Sequence, residues 1–294
     1  MSDSLALSAP AKVNLGLRIV GRRADGYHEL ESLFVPLDLC DAIALRVESA
    51  RATQVTLALD GPAAGAPLGD DNLAARAARD FLARAGITAR VAIHLTKCTP
   101  VAAGLGGGSS DAAAVLRGLA QAFPDALGRE AIEELALALG ADVPFFLDPR
   151  PAWVTGIGER RAPVAGLPAL ALLLANPGEA LATREVFRAF DALARPREPR
   201  PDPPRDLARD LALDAALAAR LHNDLEEPAV RLCPPIARLR AQLAGSGARA
   251  VGMSGSGATL FGVFADRAAA ERAEAGLRGP ARGWTRVAAT SESR

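Results

Sequence analysis

The sequence predicts an α+β protein built from two domains. Its 294 residues suffice for one large domain or two ordinary ones, and half of them are hydrophobic, which is enough for a sizeable core. Strand-like and helix-like segments follow one another in irregular order, unlike the strict alternation of a βαβ repeat. We place the domain boundary between residues 155 and 156, so that the domains span residues 1–155 and 156–294.

The first half begins with strands and continues with helices. Apolar and polar residues alternate, as in half-buried strands, over residues 12–21, 42–49, 54–61 and 90–97. Asn72 is typical of a helix N-cap and Gly86 of a helix end, so an alanine-rich helix is predicted between them. Two more helices are predicted, over about residues 110–123 and over 129–139, the latter closed by a glycine.

The second half mixes both kinds of element and has no internal repeat. Strands are predicted over residues 169–175, on both sides of a glycine turn within 249–264, and over 284–291. Helices are predicted over residues 183–194, 206–221, 235–244 and 266–277. The proline-rich, mixed-charge segment 195–206 is interpreted as an exposed loop and not as an arginine patch for nucleic acid.

Composition excludes several classes of partner. Lys+Arg and Asp+Glu number 34 each, so the net charge is zero, which disfavours a general polyanion binder. Only 4% of the residues are aromatic, which disfavours a nucleic-acid-binding module. The N-terminus lacks the features of a signal peptide, and the apolar stretch 167–177 is too short to span a bilayer. We therefore expect a cytoplasmic protein without a membrane or nucleic-acid partner, either a monomer or a homodimer.

Cysteines and histidines are too scattered to form a motif. The three cysteines form no CxxC pair, and they are Cys40, Cys98 and Cys233. The three histidines lack metal-ligand spacing, and they are His28, His94 and His222. Widely spaced cysteines are typical of reduced thiols in a cytosolic protein.

The stretch "PVAAGLGGGSSDAAAVL" at 100–116 suggests a phosphate site. Four glycines within five residues let a backbone approach a ligand closely, and the following Ser109, Ser110 and Asp111 supply N-cap chemistry for a helix. A Walker A motif would need a lysine before Ser109, and a third Rossmann glycine is missing. The stretch is therefore either a different phosphate cradle or a turn without a ligand.

Four motifs together resemble the GHMP kinases. They are "APAKVNLGLRIVGRRADGYHELESLF" at 9–34, the glycine stretch, "LGADVPFF" at 139–146 and "MSGSGATLFGVF" at 253–264. The resemblance implies a two-domain α+β fold with its active site in the cleft between the domains, and transfer of the ATP γ-phosphoryl group with Mg²⁺. The stretch "RADGYHELESLF" resembles the corresponding stretch of those GHMP kinases that phosphorylate the 2-hydroxyl of a cytidylyl methylerythritol in non-mevalonate isoprenoid synthesis.

The resemblance also implies roles for individual residues. The catalytic pair is Lys12 and Asp142, with the aspartate as general base. The ATP loop comprises Pro100, Val101, Ala102, Ala103, Gly104, Leu105, Gly106, Gly107, Gly108, Ser109 and Ser110. The substrate contacts are Asn14, Tyr27, His28 and Lys97, with Thr183 as a further pocket residue. The sequence does not identify the Mg²⁺ ligands, for which Ser109 and Ser110 are candidates, or the aromatic partner of the cytosine.

Without the resemblance, each of these residues has a simpler interpretation. Asp142 follows a glycine where aspartate is common in turns, and Lys12 could point to solvent. Tyr27 could cap a hydrophobic edge, and His28 could be a satisfied core histidine. The turn at 254–259 either supports the phosphate loop or only closes a hairpin.

Two rival functions are considered beside the kinase. Homoserine and mevalonate kinases share the superfamily but lack the "DGYHELESLF" stretch. A sensor that binds ligand without turnover would be expected to lack one residue of the catalytic pair, and both Lys12 and Asp142 are present here.

Overall fold

The computed structural model describes residues 4–63, 65, 67–193, 221–277 and 283–291. The strands are β1 (Ser4–Arg22), β2 (His28–Ser49), β3 (Gln54–Asp60), β4 (Ala89–Thr96), β5 (Ala152–Gly156), β6 (Arg160–Pro163), β7 (Ala171–Asn176), β8 (Ala250–Met253), β9 (Leu260–Phe264) and β10 (Trp284–Ala289). The helices are α1 (Leu73–Ala85), α2 (Gly107–Ala122), α3 (Arg129–Leu139), α4 (Val143–Leu147), α5 (Thr183–Asp191), α6 (Glu226–Leu232), α7 (Pro235–Gly245) and α8 (Arg267–Leu277).

The chain forms two compact units, each assembled from segments that are distant in sequence. As far as they are described, the first takes residues 1–11, 39–101 and 106–149, and the second takes 12–38, 102–105 and 150–294. The long strands β1 and β2 each contribute one part to each unit. The boundary between residues 155 and 156 stays a prediction.

The first unit places helices α1 to α4 beside a small sheet. β3 pairs with β4 in parallel, and the end of β2 pairs with β4 antiparallel, from Ala42 opposite Thr96 to Ser49 opposite Ala89. Helix α1 packs against α2, and both helices carry alanines that are wholly buried. The Asn72 side chain accepts a hydrogen bond from the Ala74 amide, so the predicted N-cap is confirmed.

The second unit contains an antiparallel sheet of four strands in the order β10-β7-β9-β8. The central strands β7 and β9 are almost entirely buried because helices α7 and α8 pack on this sheet. The start of β2 pairs with β5, from Leu30 opposite Gly156 to Phe34 opposite Ala152, and β5 pairs with β6. No helix within the described residues is both long enough and apolar enough to cross a membrane.

Most predicted elements are confirmed, although several differ in extent. Strand β1 begins at Ser4 and not at residue 12. Strand β2 begins at His28 and not at residue 42. The sequence pattern does not reveal the first part of this strand, because residues 30–37 are largely buried and show no alternation of apolar and polar residues. Strands β5 and β6 and helices α4 and α6 were not predicted. The predicted helix 206–221 and the segment 195–206 lie outside the described residues, apart from Leu221.

Candidate active site

The glycine stretch leads from a strand into a helix, as predicted. Helix α2 begins at Gly107, three residues earlier than the sequence predicted, and its N-cap is Gly106 with a φ of 70°. The prediction that Ser109, Ser110 and Asp111 form the cap is therefore wrong, because these residues already lie inside the helix. No side chain caps α2, so its first N–H groups are available to an anion.

A cluster of buried charges lies beside the start of α2. The Lys97 ammonium donates to the Asp111 carboxylate over 2.8 Å and also to Asp41, and all three side chains are at most 4% exposed. These two hydrogen bonds use two of the three donors of the lysine. Lys97 is thus held inside the first unit.

Burial and charge shift the pKa values of this cluster. Burial raises the pKa of Asp111 to about 7, and the negative charge of Asp41 adds to that rise while Lys97 opposes it. Burial disfavours the charged form of Lys97, but the two carboxylates outweigh burial and its pKa is raised. The lysine therefore stays protonated at neutral pH.

Three oxygens at the same place lack hydrogen-bond partners within the described residues. They are Thr99 Oγ1, Ser110 Oγ and Asp111 Oδ1, and all three are buried. Buried polar atoms are normally hydrogen-bonded, so these three oxygens are suited to accept from or coordinate a ligand. Hydroxyl and carboxylate oxygens are the donors that Mg²⁺ prefers, whereas no cluster of His, Cys, Asp and Glu suited to a metal occurs in the described ranges.

Asp142 precedes the short helix α4 in the first unit. It is half-buried, and its side chain makes no capping hydrogen bond to the helix that follows. Pro144 in the first turn of α4 fixes the backbone at this point. The backbone that carries Asp142 is therefore restrained at the start of α4.

Lys12 and Asn14 form a buried pair in the second unit. The Lys12 ammonium donates to Asn14 Oδ1 over 2.5 Å and lies 4.5 Å from the centre of the Phe34 ring. Lys12 is only 3% exposed, so the alternative that it points to solvent is wrong. Asn14 donates to Ser32 Oγ over 2.8 Å, which fixes the orientation of its amide.

The turn at 254–259 closes a hairpin and also contacts the glycine stretch. β8 and β9 pair on either side of it, as the hairpin alternative predicts. The Ser254 hydroxyl donates to the Gly104 carbonyl over 2.8 Å, and the backbone N–H of Asn14 donates to Ser254 Oγ over 3.3 Å. Ser254 thereby connects the glycine stretch with the residue that holds Lys12.

Gly104 has no room for a side chain. A Cβ atom there would lie 2.2 Å from the Ser254 carbonyl oxygen, and its φ is 78°. We expect Gly104→Ala to lower the free energy of unfolding by about 2 kcal/mol or more, measured by urea unfolding. Gly276→Ala in α8 is the control, since a Cβ there meets nothing within 4 Å. Equal unfolding midpoints for the two variants would contradict this packing.

His28 lies in an aromatic cluster of the second unit. Its ring stacks on Phe187 with centroids 4.8 Å apart, and Nε2 lies 2.7 Å from Asp191 Oδ1. Tyr27 is 61% exposed, and the Thr183 hydroxyl lies 3.0 Å from Ser256 Oγ. The sequence does not identify Phe187 as the aromatic partner because it falls inside a predicted helix. In the structure, Phe187 and Asp191 are four residues apart on one face of α5.

Comparison with known proteins gives the family. The model of the GHMP kinases N terminal domain matches residues 72–148, and that of the GHMP kinases C terminal region matches residues 205–282. The chain belongs to the GHMP kinases. Its membership confirms the predicted α+β class, and the chain is an ATP-dependent kinase.

Several GHMP kinases are similar over nearly the whole chain. The 4-diphosphocytidyl-2-C-methyl-D-erythritol kinase of Anaeromyxobacter dehalogenans strain 2CP-C is 48% identical to this chain. The matched region covers 95% of this chain and 87% of that enzyme. The enzyme of the same name from Agrobacterium fabrum strain C58 is 43% identical, covering 94% and 93% respectively.

Solved structures of GHMP kinases agree with this comparison. A crystal structure of 4-(cytidine 5'-diphospho)-2C-methyl-D-erythritol kinase is 40% identical, with a TM-score of 0.78 over 98% of this chain and 100% of that one. A homoserine kinase from Cytophaga hutchinsonii has a TM-score of 0.71 over 100% and 96% at 17% identity, which shows only the shared fold.

Proposed function

We propose that this kinase transfers the γ-phosphoryl group of ATP to the 2-hydroxyl of 4-diphosphocytidyl-2-C-methyl-D-erythritol in the non-mevalonate pathway to isoprenoids. The observation that carries the proposal is the 43–49% identity to relatives of that name over 90–95% of the chain. The homoserine kinase structure is only 17% identical to this chain, so it shows the shared fold and does not support homoserine as the substrate.

In the proposed reaction, Asp142 accepts the proton of the substrate hydroxyl. The hydroxyl oxygen then forms a bond to the γ-phosphorus as the bond from that phosphorus to the β–γ bridging oxygen breaks, and ADP leaves. Lys12 would offset the negative charge on the attacking oxygen. Its burial at 3% exposure and its hydrogen bond to Asn14 keep the ammonium in a fixed place, which is what such a role requires.

The residues Pro100 to Ser110 are proposed to bind the ATP phosphates. The uncapped start of α2 offers N–H donors to phosphate oxygens, and the buried Ser110 hydroxyl lacks a protein partner in the described ranges. Ser110 would therefore suit Mg²⁺ as an oxygen ligand, together with phosphate and water. When bound, Mg²⁺ neutralises charge on the β- and γ-phosphates.

Asn14, Tyr27, His28, Lys97 and Thr183 remain predicted substrate contacts, to which we add Phe187. A cytosine needs an aromatic face and polar partners for its edge, and the His28–Phe187 pair provides both kinds of group. The cytoplasmic location, the lack of a nucleic-acid or membrane partner and the choice between monomer and homodimer also stay predictions.

Phe187→Ala is expected to raise KM for the cytidylyl substrate roughly tenfold, because stacking of a base on an aromatic ring contributes about 1–3 kcal/mol. KM for ATP should stay within about twofold of the parent value, in steady-state assays with each substrate varied in turn. Phe190→Ala is the matched control, since this ring meets His28 edge-on and offers no parallel face. An unchanged KM for the cytidylyl substrate would exclude Phe187 as a stacking partner.

The substrate is tested by ADP release from purified protein with ATP and Mg²⁺. The cytidylyl methylerythritol, homoserine and mevalonate are compared under identical conditions. Turnover with the cytidylyl compound alone supports the proposal. Turnover with homoserine or mevalonate instead would assign a different substrate within the family, and ATP binding without turnover of any of the three would favour the sensor.

A further inference from the structure

Asp41 holds the segment that follows strand β4. This residue of β2 is wholly buried, and its Oδ1 accepts hydrogen bonds from the amides of Cys98 at 2.6 Å and Thr99 at 2.8 Å. Its other oxygen accepts from the Lys97 ammonium. One carboxylate therefore fixes three consecutive residues immediately before the glycine stretch.

The same cluster reaches the residues that follow the glycine stretch. Lys97 donates to Asp111 in α2 over 2.8 Å. A Cβ on Gly107, the first residue of α2, would lie 2.9 Å from Thr99 Cγ2 and 3.1 Å from Lys97 Nζ. The backbone before residue 100 and the backbone after residue 106 are thus packed together and held by ion pairs.

Folding stability does not by itself require a buried cluster of charges at this place. Buried ion pairs are often no more stabilising than apolar side chains of the same volume, because desolvation offsets their attraction. Lysine occurs at only two positions of the sequence, Lys12 and Lys97, whereas arginine supplies every other basic side chain. A compact ammonium can bond two carboxylates at one point, which the planar fork of arginine does not reproduce. Lys97 therefore holds Asp41 and Asp111 in a defined geometry.

We propose that Asp41 is a positioning residue for ATP, because through Lys97 and the amides of Cys98 and Thr99 it sets the spacing between the end of β4 and the start of α2. It touches no substrate and acts through the residues it holds. The inference rests on the proposed function in one respect, namely that the glycine stretch binds the phosphates of ATP.

The test is Asp41→Asn, which keeps the shape of the side chain and an acceptor for the two amides but removes the charge that holds Lys97. We expect the Kd for a non-hydrolysable ATP analogue with Mg²⁺, measured by titration calorimetry, to rise roughly tenfold or more, since small misplacements in a site have large effects. KM for ATP should rise with it, whereas kcat at saturating concentrations of both substrates should stay within about threefold. Asp60→Asn is the matched control, an aspartate at the end of β3 that is 55% exposed and pairs with His94.

A second variant covers the case in which Asp41→Asn does not fold. Asp111→Asn leaves the pair of Lys97 and Asp41 intact and removes the charge from the link between Lys97 and α2, so a smaller rise in Kd is expected in a protein with a parental circular dichroism spectrum. Parental Kd values in the folded variants would overturn the inference, as would loss of kcat without loss of ATP affinity. Binding of the analogue needs no acceptor, so failure to phosphorylate the cytidylyl compound would refute the proposed substrate and leave this inference standing.

Discussion

Asp142→Asn is expected to lower kcat by about 10²–10⁴-fold, because asparagine keeps the shape of aspartate but does not accept a proton. Its position before the rigid start of α4 should be unchanged, since the side chain takes no part in capping that helix. KM for ATP should therefore stay within about threefold of the parent value. Steady-state ADP release with the cytidylyl substrate measures both quantities.

Asp148→Asn provides the control for this variant. Asp148 is an exposed carboxylate at the other end of the same helix α4, so its loss should leave kcat within about twofold of the parent. If Asp142→Asn retains kcat within tenfold of the parent, Asp142 is not the general base. A pH–rate profile of the parent enzyme would then have to identify another proton acceptor.

Lys12→Met is the second large effect, with an expected loss of about 10²–10³-fold in kcat, the usual result of removing one preorganised electrostatic group. Methionine preserves the length of the side chain and its contact with the Phe34 ring, so the loss reports the charge. Lys12→Arg should restore only part of the rate, because the Asn14 amide accepts from a compact ammonium at 2.5 Å.

Arg46→Met is the control for the charge at position 12. Arg46 is an exposed cation on β2, and its replacement should leave the rate within about twofold. Full activity of Lys12→Met would refute the assigned role of the lysine. Loss of folding, detected by circular dichroism, would instead mean that the buried pair with Asn14 is structural.

The sequence predicted an element correctly where residues at its own ends mark its boundaries. Helix α1 is marked by Asn72 and Gly86, and both residues make the predicted caps. The start of α2 was misplaced because Ser109 and Ser110 are typical N-cap residues, whereas Gly106 caps the helix through a backbone conformation that leaves no side-chain signal. The first part of β2 was missed because burial removes the alternation on which strand prediction depends.

Some residues of the candidate site could be predicted from the sequence, and others could not. Lys12, Asn14 and Asp142 lie within short motifs and could be named from the sequence. Ser254 and Asp41 could not, because their partners Asn14 and Lys97 are 240 and 56 residues away and only the fold brings them together. One signal was nevertheless present in the composition, since the chain has only two lysines and both are buried.

Transfer of a labelled phosphoryl group tests the central claim most directly. The purified protein is incubated with ATP labelled in the γ-phosphoryl group, Mg²⁺ and the cytidylyl methylerythritol, and the product is analysed by mass spectrometry and phosphorus NMR. We predict one labelled phosphoryl group on the 2-oxygen of the methylerythritol moiety, in equal amount to the ADP formed. Label on another hydroxyl, or ADP formed without labelled product, would contradict the account.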